Sequence, residues 1–214
     1  MARYTKDGKD YISVTQLINI FFPFNDEGFE KWCKANGHDP EKIKRDSARM
    51  GTKVSEWIEN ATLGISELDS PCTIAKETGL KTAVEDFLGA YKVVACEQPV
   101  YCDEFGYAGT YDMKVIIDGE EYLCDSKTYG AWNGKYKRDS SKIKKVAYQT
   151  SMYSYADNGT DKLALVVFKT DGTYEIEKLK YTEDWIKKIG ECEEEIKLLL
   201  EQNDNNTTQQ EDPE

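Results

Sequence analysis

The chain has 214 residues, of which 39% are hydrophobic and 12% aromatic, enough for one packed domain with a lobe or tail added. Its formal net charge of −12 argues at face value against a polyanionic partner. No apolar run approaches the roughly 20 residues of a membrane span, and MARYTKDGKD lacks the apolar centre of a signal peptide.

The charge is unevenly spread. Residues Glu191 to Glu214 hold nine acids and one lysine, so the first 190 residues carry only −4. Six cysteines occur without a CxxC pair, beside a single histidine, His38. Zinc and iron–sulfur centres need clustered soft ligands, so neither is expected. An intracellular protein with reduced, mostly buried thiols is the plain reading.

The predicted elements begin with an extended piece at Tyr11 leading into a helix near Thr15 that Pro23 stops. Asp26 to Asn36 is a short amphipathic helix ended by Gly37. Pro40 to Leu63 is a long helix with Ile43, Val54, Trp57, Ile58 and Ala61 as its apolar stripe. Gly64 to Pro71 is a loop. Cys72 to Tyr91 is helical, with a break expected at Gly79. The period then changes. Lys92–Tyr101, Tyr107–Ile117 and the segment starting at Glu120 read as three antiparallel strands, joined by the turn DEFG and the hairpin turn Asp118-Gly119. Ser141 to Asp157 is a helix, and Lys162 to Lys169 a strand buried on both faces. Asp171-Gly172 turns the chain into TYEIEKLK, and Thr182 starts a last helix to Glu201. The chain is therefore α+β: a helical lobe over 1–71, a core over 72–202, and a disordered acidic tail over 203–214.

Turn chemistry fixes register. With Asp118 and Gly119 as a two-residue loop, Ile117 faces Glu120 and Asp112 faces Asp125, their Cβ atoms about 5 Å apart. With Asp103 facing Gly106, Glu97 falls opposite Asp112. Three carboxylates thus form a row across three strands, with Lys127 on the face of Asp125. Like charges in a row are destabilising, and hard oxygen donors select Mg²⁺ or Mn²⁺. A solvent-facing acidic strip and a plain Lys127–Asp125 pair are the alternatives. Metal, lysine and carboxylates together suit phosphodiester hydrolysis. In GKYKRDSSKIKK, the residues Lys135, Lys137, Arg138, Lys142, Lys144 and Lys145 stand against Asp139 alone, a local +5 fit for a phosphate backbone or for a solvated loop and helix start.

GTYD (Gly109–Asp112), CDSK with Asp125 and Lys127, and QTSMY with Gln149 and Tyr153 resemble the GxxD, (D/E)xK and QxxxY motifs of PD-(D/E)XK nucleases, most closely the RecB-like branch with its phage-type exonucleases. The resemblance covers residues 45 to 180. It implies a restriction-endonuclease-like core in which a mixed sheet is flanked by helices. It implies Asp112, Asp125 and the Ser126 carbonyl as ligands of one or two Mg²⁺ or Mn²⁺ ions, with Glu97 and Glu59 as further candidates. Lys127 would be the catalytic lysine, with Gln149 and Tyr153 on one helix face as catalytic-site contacts to phosphate or a DNA end, the alternative being a helix packing face with Tyr153 in the core. DNA is the implied substrate, recombination or repair the setting, and a single-strand annealing or recombination protein the kind of partner. One departure stands out. GTKVSEWIE (Gly51–Glu59) has Ser55 where many relatives carry a metal-binding histidine. The alternatives are a nuclease-fold DNA- or partner-binding protein with weak or lost catalysis, and a structure-specific endonuclease.

Overall fold

A computed structural model of the chain describes residues 4–65, 75–129 and 140–199. The expectations for residues 66–74, for Lys135, Lys137 and Arg138, and for the acidic tail lie outside the described residues. The elements are β1 (Tyr4–Lys6), β2 (Lys9–Ser13), α1 (Val14–Phe21), α2 (Asp26–Ala35), α3 (Pro40–Thr62), α4 (Ala75–Ala90), β3 (Lys92–Cys102), β4 (Tyr107–Ile117), β5 (Glu120–Tyr129), α5 (Ser140–Ala156), β6 (Leu163–Lys169), β7 (Tyr174–Leu179) and α6 (Asp184–Glu191). The fold is α+β with a mixed central sheet flanked by helices. No helix among the described residues is long and apolar enough to cross a membrane.

The sheet runs β1-β2-β4-β5-β6-β7, and β3 pairs with β4. Strand β6 shows how the layers are built. Its residues are buried from Leu163 to Phe168, but they alternate in direction. Ala164, Val166 and Phe168 join a core with Val54, Trp57 and Ile58 of α3 and Leu80, Val84 and Phe87 of α4. Leu165 and Val167 meet Val146 of α5 on the opposite face. There α1, α5 and Trp185 of α6 close the second core. A strand covered on both faces reads as a continuous apolar run for this reason.

Local chemistry explains the ends. Ser13 caps α1 by accepting from the Gln16 backbone N–H, while the Gln16 side chain accepts from the Ser13 N–H, a reciprocal capping box. Asp39 caps α3 ahead of Pro40. The loop of the β4–β5 hairpin has positive φ at both Asp118 (54°) and Gly119 (80°), as a two-residue turn of this hand requires.

Several expectations need correcting. The first 71 residues are not only helical: they supply β1 and β2 to the sheet, around a turn at Asp7-Gly8 that the sequence already advertises. In α3, Met50 belongs to the buried stripe and Ala61 is exposed. Gly79 does not break α4. The helix runs through it, and a methyl group there would overlap the Thr170 carbonyl in the β6–β7 turn. The last helix is interrupted at Cys192 and becomes helical again over 193–199.

One buried charge ties the helical layer together. Glu77 of α4 is fully buried and pairs with Arg49 and Lys53, one turn apart on α3.

Candidate functional site

Strand β4 organises the site. Along one edge it pairs with β3 from Tyr107 to Ile116. Its other edge is shared: β2 takes Tyr107 and Ala108, and β5 takes Met113 to Ile117. Gly109 to Asp112 lie in the fork between β2 and β5. This stretch is the GTYD motif.

The register of the β4–β5 hairpin matches the turn argument, since Ile117 faces Glu120 and Met113 faces Cys124. One step further the backbones part, and a side chain takes over the ladder. Asp112 Oδ2 accepts from the Ser126 N–H at 2.7 Å and from the Ser126 hydroxyl at 2.8 Å. The β3–β4 register also follows the turn, with Cys96 facing Met113 and Gln98 facing Tyr111, so Glu97 lies opposite Asp112. A bulge between Val93 and Ala95 shifts only the far end. Glu97 itself has φ of 46°, a left-handed conformation within a strand that costs about 1–3 kcal/mol for a residue with a side chain.

That twist brings Glu97 into a narrow recess with Asp112, Ser126 and Ser55 of α3. Burial, and then the charges of Asp112 and Glu59, push the Glu97 carboxyl up, and a hydrogen bond from Ser55 partly offsets them. Ser55 therefore stabilises the ionised form of Glu97. Glu59 is exposed and lines the neighbouring cleft with Cys96 and Gln98.

Asp125 is 1% exposed, and among the described residues neither of its carboxylate oxygens has a hydrogen-bond partner. The Lys127 ammonium lies 2.5 Å from Oδ2 and forms an ion pair with it. Burial, opposed by Lys127 and reinforced by Asp112, pushes the Asp125 carboxyl up to about 6. Desolvation works against the Lys127 ammonium, but the charges of Asp125 and Asp112 outweigh it and leave the group raised. Lys127 Nζ also donates to the Ser126 carbonyl at 3.2 Å.

Tyr153 and Gln149 lie next to this pair. Gln149 Nε2 donates to the Tyr153 hydroxyl at 3.1 Å. The Tyr153 ring is buried, and its hydroxyl pKa is raised by burial first, with the hydrogen bond from Gln149 opposing and the charges of Asp125 and Asp112 adding. The edge of the ring lies against Gly109, where any Cβ would overlap Cε1. Gly109 is thus needed for close approach and not for its torsion angles.

Among the basic residues, Lys142 and Lys145 line a groove with Lys127 and Gln149. Burial, together with the charge of Lys127, lowers the Lys145 ammonium, so the two cations lie near each other. Lys145 also donates to Asn19 at 3.1 Å. Lys144 turns elsewhere and sits over the Tyr148 ring. Sequence reasoning missed the apolar side of this groove, which Tyr129, Val146 and Leu165 form. Its signal was Tyr129, two residues beyond Lys127 on the same strand face.

Among the described residues no group of three or more His, Cys, Asp or Glu side chains converges as a metal cage. The donors that could hold a hard cation are Asp112, Asp125 and the Ser126 carbonyl. The buried carboxylate of Asp125, which has Lys127 on Oδ2 and no hydrogen-bond partner on Oδ1 among the described residues, fits that role.

No protein-family model matches the chain, and no curated protein does. A solved structure titled "Crystal structure of SSO0001" is similar over 91% of this chain and 78% of that one, at 15% identity and a TM-score of 0.38. A likeness at that level establishes neither a fold family nor an activity.

Proposed function

We propose that the chain is a metal-dependent deoxyribonuclease of the PD-(D/E)XK type, close to the RecB-like branch, that hydrolyses phosphodiester bonds as an exonuclease. The observation that carries this reading is Asp125: a buried carboxylate one step beyond the Met113–Cys124 pair of the hairpin, paired with Lys127 on Oδ2 and without a hydrogen-bond partner on Oδ1 among the described residues. A hydrophobic core has no structural need for such a group. Asp112, Asp125 and the Ser126 carbonyl would hold Mg²⁺ or Mn²⁺, with Glu97 behind them. A bound ion of this kind supplies charge neutralisation at a phosphoryl oxygen and a more acidic water. The Lys127 ammonium, anchored to Asp125 and Ser126, adds a second positive charge where negative charge develops on the phosphate. Tyr153, which accepts from Gln149 on the same helix, packs α5 against β4 at Gly109 beside it. Lys142 and Lys145 extend the positive edge along which a backbone can lie.

The test is cleavage of an end-labelled duplex with Mg²⁺ or Mn²⁺, with Asp125→Ala as control. Cleavage that survives EDTA, or survives Asp125→Ala, defeats the proposal. Cutting of covalently closed circles would overturn the exonuclease part and favour the endonuclease.

A second reading is a DNA- or partner-binding protein on a nuclease-like frame. It is favoured by Asp112, whose Oδ2 already has two donors from Ser126. A site that satisfies its own acid in this way can stay closed. If Asp112→Ala and Lys127→Ala both leave the protein's biological effect intact, this reading stands.

A further inference from the structure

The groove next to Lys127 has a composition that phosphate binding alone does not explain. Its cavity measures about 260 Å³, just under the range of whole small-molecule sites. Tyr129, Val146 and Leu165 give it an apolar wall, while Lys127, Lys142 and Lys145 bring the cations and Gln149 an amide. A purely electrostatic track for a duplex backbone is polar, shallow and exposed. This one is a partly enclosed apolar slot with its positive charge on one side.

Building on the nuclease reading, we infer that this groove takes up one unpaired nucleobase of a DNA strand, with the flanking phosphate on Lys127, Lys142 and Lys145. The chemistry of the occupant follows from the lining. It must be flat and apolar on its faces to lie along Tyr129, Val146 and Leu165. It must carry hydrogen-bonding edges that the Gln149 amide can meet. It must carry an anion close by, because Lys127, Lys142 and Lys145 all line the same groove. A nucleotide meets all three conditions, whereas a duplex does not, because its bases stay stacked and inaccessible. The substrate would therefore be a single strand or a frayed end. The groove would give little sequence preference, since every base offers an aromatic face.

The experiment uses the full chain carrying Asp125→Asn, so that binding is read without cleavage. Fluorescence anisotropy compares a labelled single-stranded oligodeoxynucleotide with an abasic strand of equal length and phosphate count. The base-bearing strand is expected to bind about tenfold tighter or more, the scale of one stacked base. Tyr129→Ser and, as a volume-matched change in case the first fails to fold, Val146→Thr should each collapse that ratio towards one, while the salt dependence set by the lysines persists. Equal affinity for the two strands overturns the inference and leaves the nuclease reading intact. A free deoxynucleoside monophosphate binding tighter than the strand overturns the assignment to a strand. Loss of all DNA binding, with and without Mg²⁺, would sink the inference together with the reading it rests on.

Discussion

Asp125→Asn should make the metal-free protein more stable. The Asp125 carboxyl is raised from its ordinary 3.8 to about 6 by burial that Lys127 only partly offsets. For a carboxyl raised on folding, the cost is absent while both states are protonated. It grows as pH climbs from about 4 to about 6, where the unfolded chain has ionised and the folded one has not. Above that it stays constant. A shift of about 2 units at ~1.4 kcal/mol each is on the order of 3 kcal/mol. That shift is already net of the attraction to half-exposed Lys127, and burying the asparagine amide takes back a fraction. Asparagine removes the charge at nearly the same volume, so the variant should gain about 2 kcal/mol at pH 8 and almost nothing at pH 4. Glu97 is raised as well, but it is present in both proteins and largely cancels in the difference. Urea unfolding of both proteins in EDTA, from pH 4 to pH 8, measures this directly. Adding Mg²⁺ at pH 8 should then stabilise the wild type and not the variant. A variant equal to or weaker than wild type at pH 8, or a gap that does not change with pH, refutes the reasoning.

Four further outcomes follow from the packing. Gly109→Ala drives a methyl into the buried Tyr153 ring, so on the proposed nuclease reading cleavage should fall at least tenfold with circular dichroism unchanged; undiminished activity means the ring can move freely. Gly79→Ala should destabilise by about 2 kcal/mol, because overlap with a backbone carbonyl outweighs the ~1 kcal/mol of helix propensity it gains. Gly89→Ala, in open space on the same helix, should be neutral or stabilising, and thermal melting distinguishes the pair. Glu77→Ala leaves Arg49 and Lys53 facing an apolar core and should cost about 2–4 kcal/mol by urea unfolding, moderated because Arg49 is 40% exposed and can rehydrate.

The hairpin register was legible because turn residues carry it. Asp118-Gly119 closes as expected, and the ladder follows it from Ile117–Glu120 to Met113–Cys124, one step short of Asp112 and Asp125. The β3–β4 turn did the same for Glu97, but neither the bulge near Val93 nor the left-handed torsion of Glu97 leaves a mark in the sequence, since surrounding packing imposes both. Gly79 shows the opposite failure. A helix-breaking propensity was read where the residue serves an interhelix-to-turn approach, and propensity yields to such contacts. The β1–β2 hairpin was legible and overlooked, for Asp7-Gly8 is the same kind of turn signal as Asp118-Gly119. Leu165 of the groove wall read only as part of a strand buried on both faces, and Val146 carried no signal, because a side chain that lines a slot and one that fills a layer have the same identity.

The fork in β4 also limits how the protein can be trimmed. A fragment starting at residue 72 would keep every strand from β3 onward and each of the three sequence motifs. It would lose β2, leaving Tyr107 and Ala108 with a bare hydrogen-bonding edge beside the acids. It would also lose α3, uncovering the apolar face around Met113, Val115 and Phe168. An unprotected strand edge next to an uncovered apolar sheet invites other chains to add on. The minimal soluble unit is therefore set by the amino-terminal strand and α3, and deletion libraries of this protein should show solubility collapsing well before the motifs are reached.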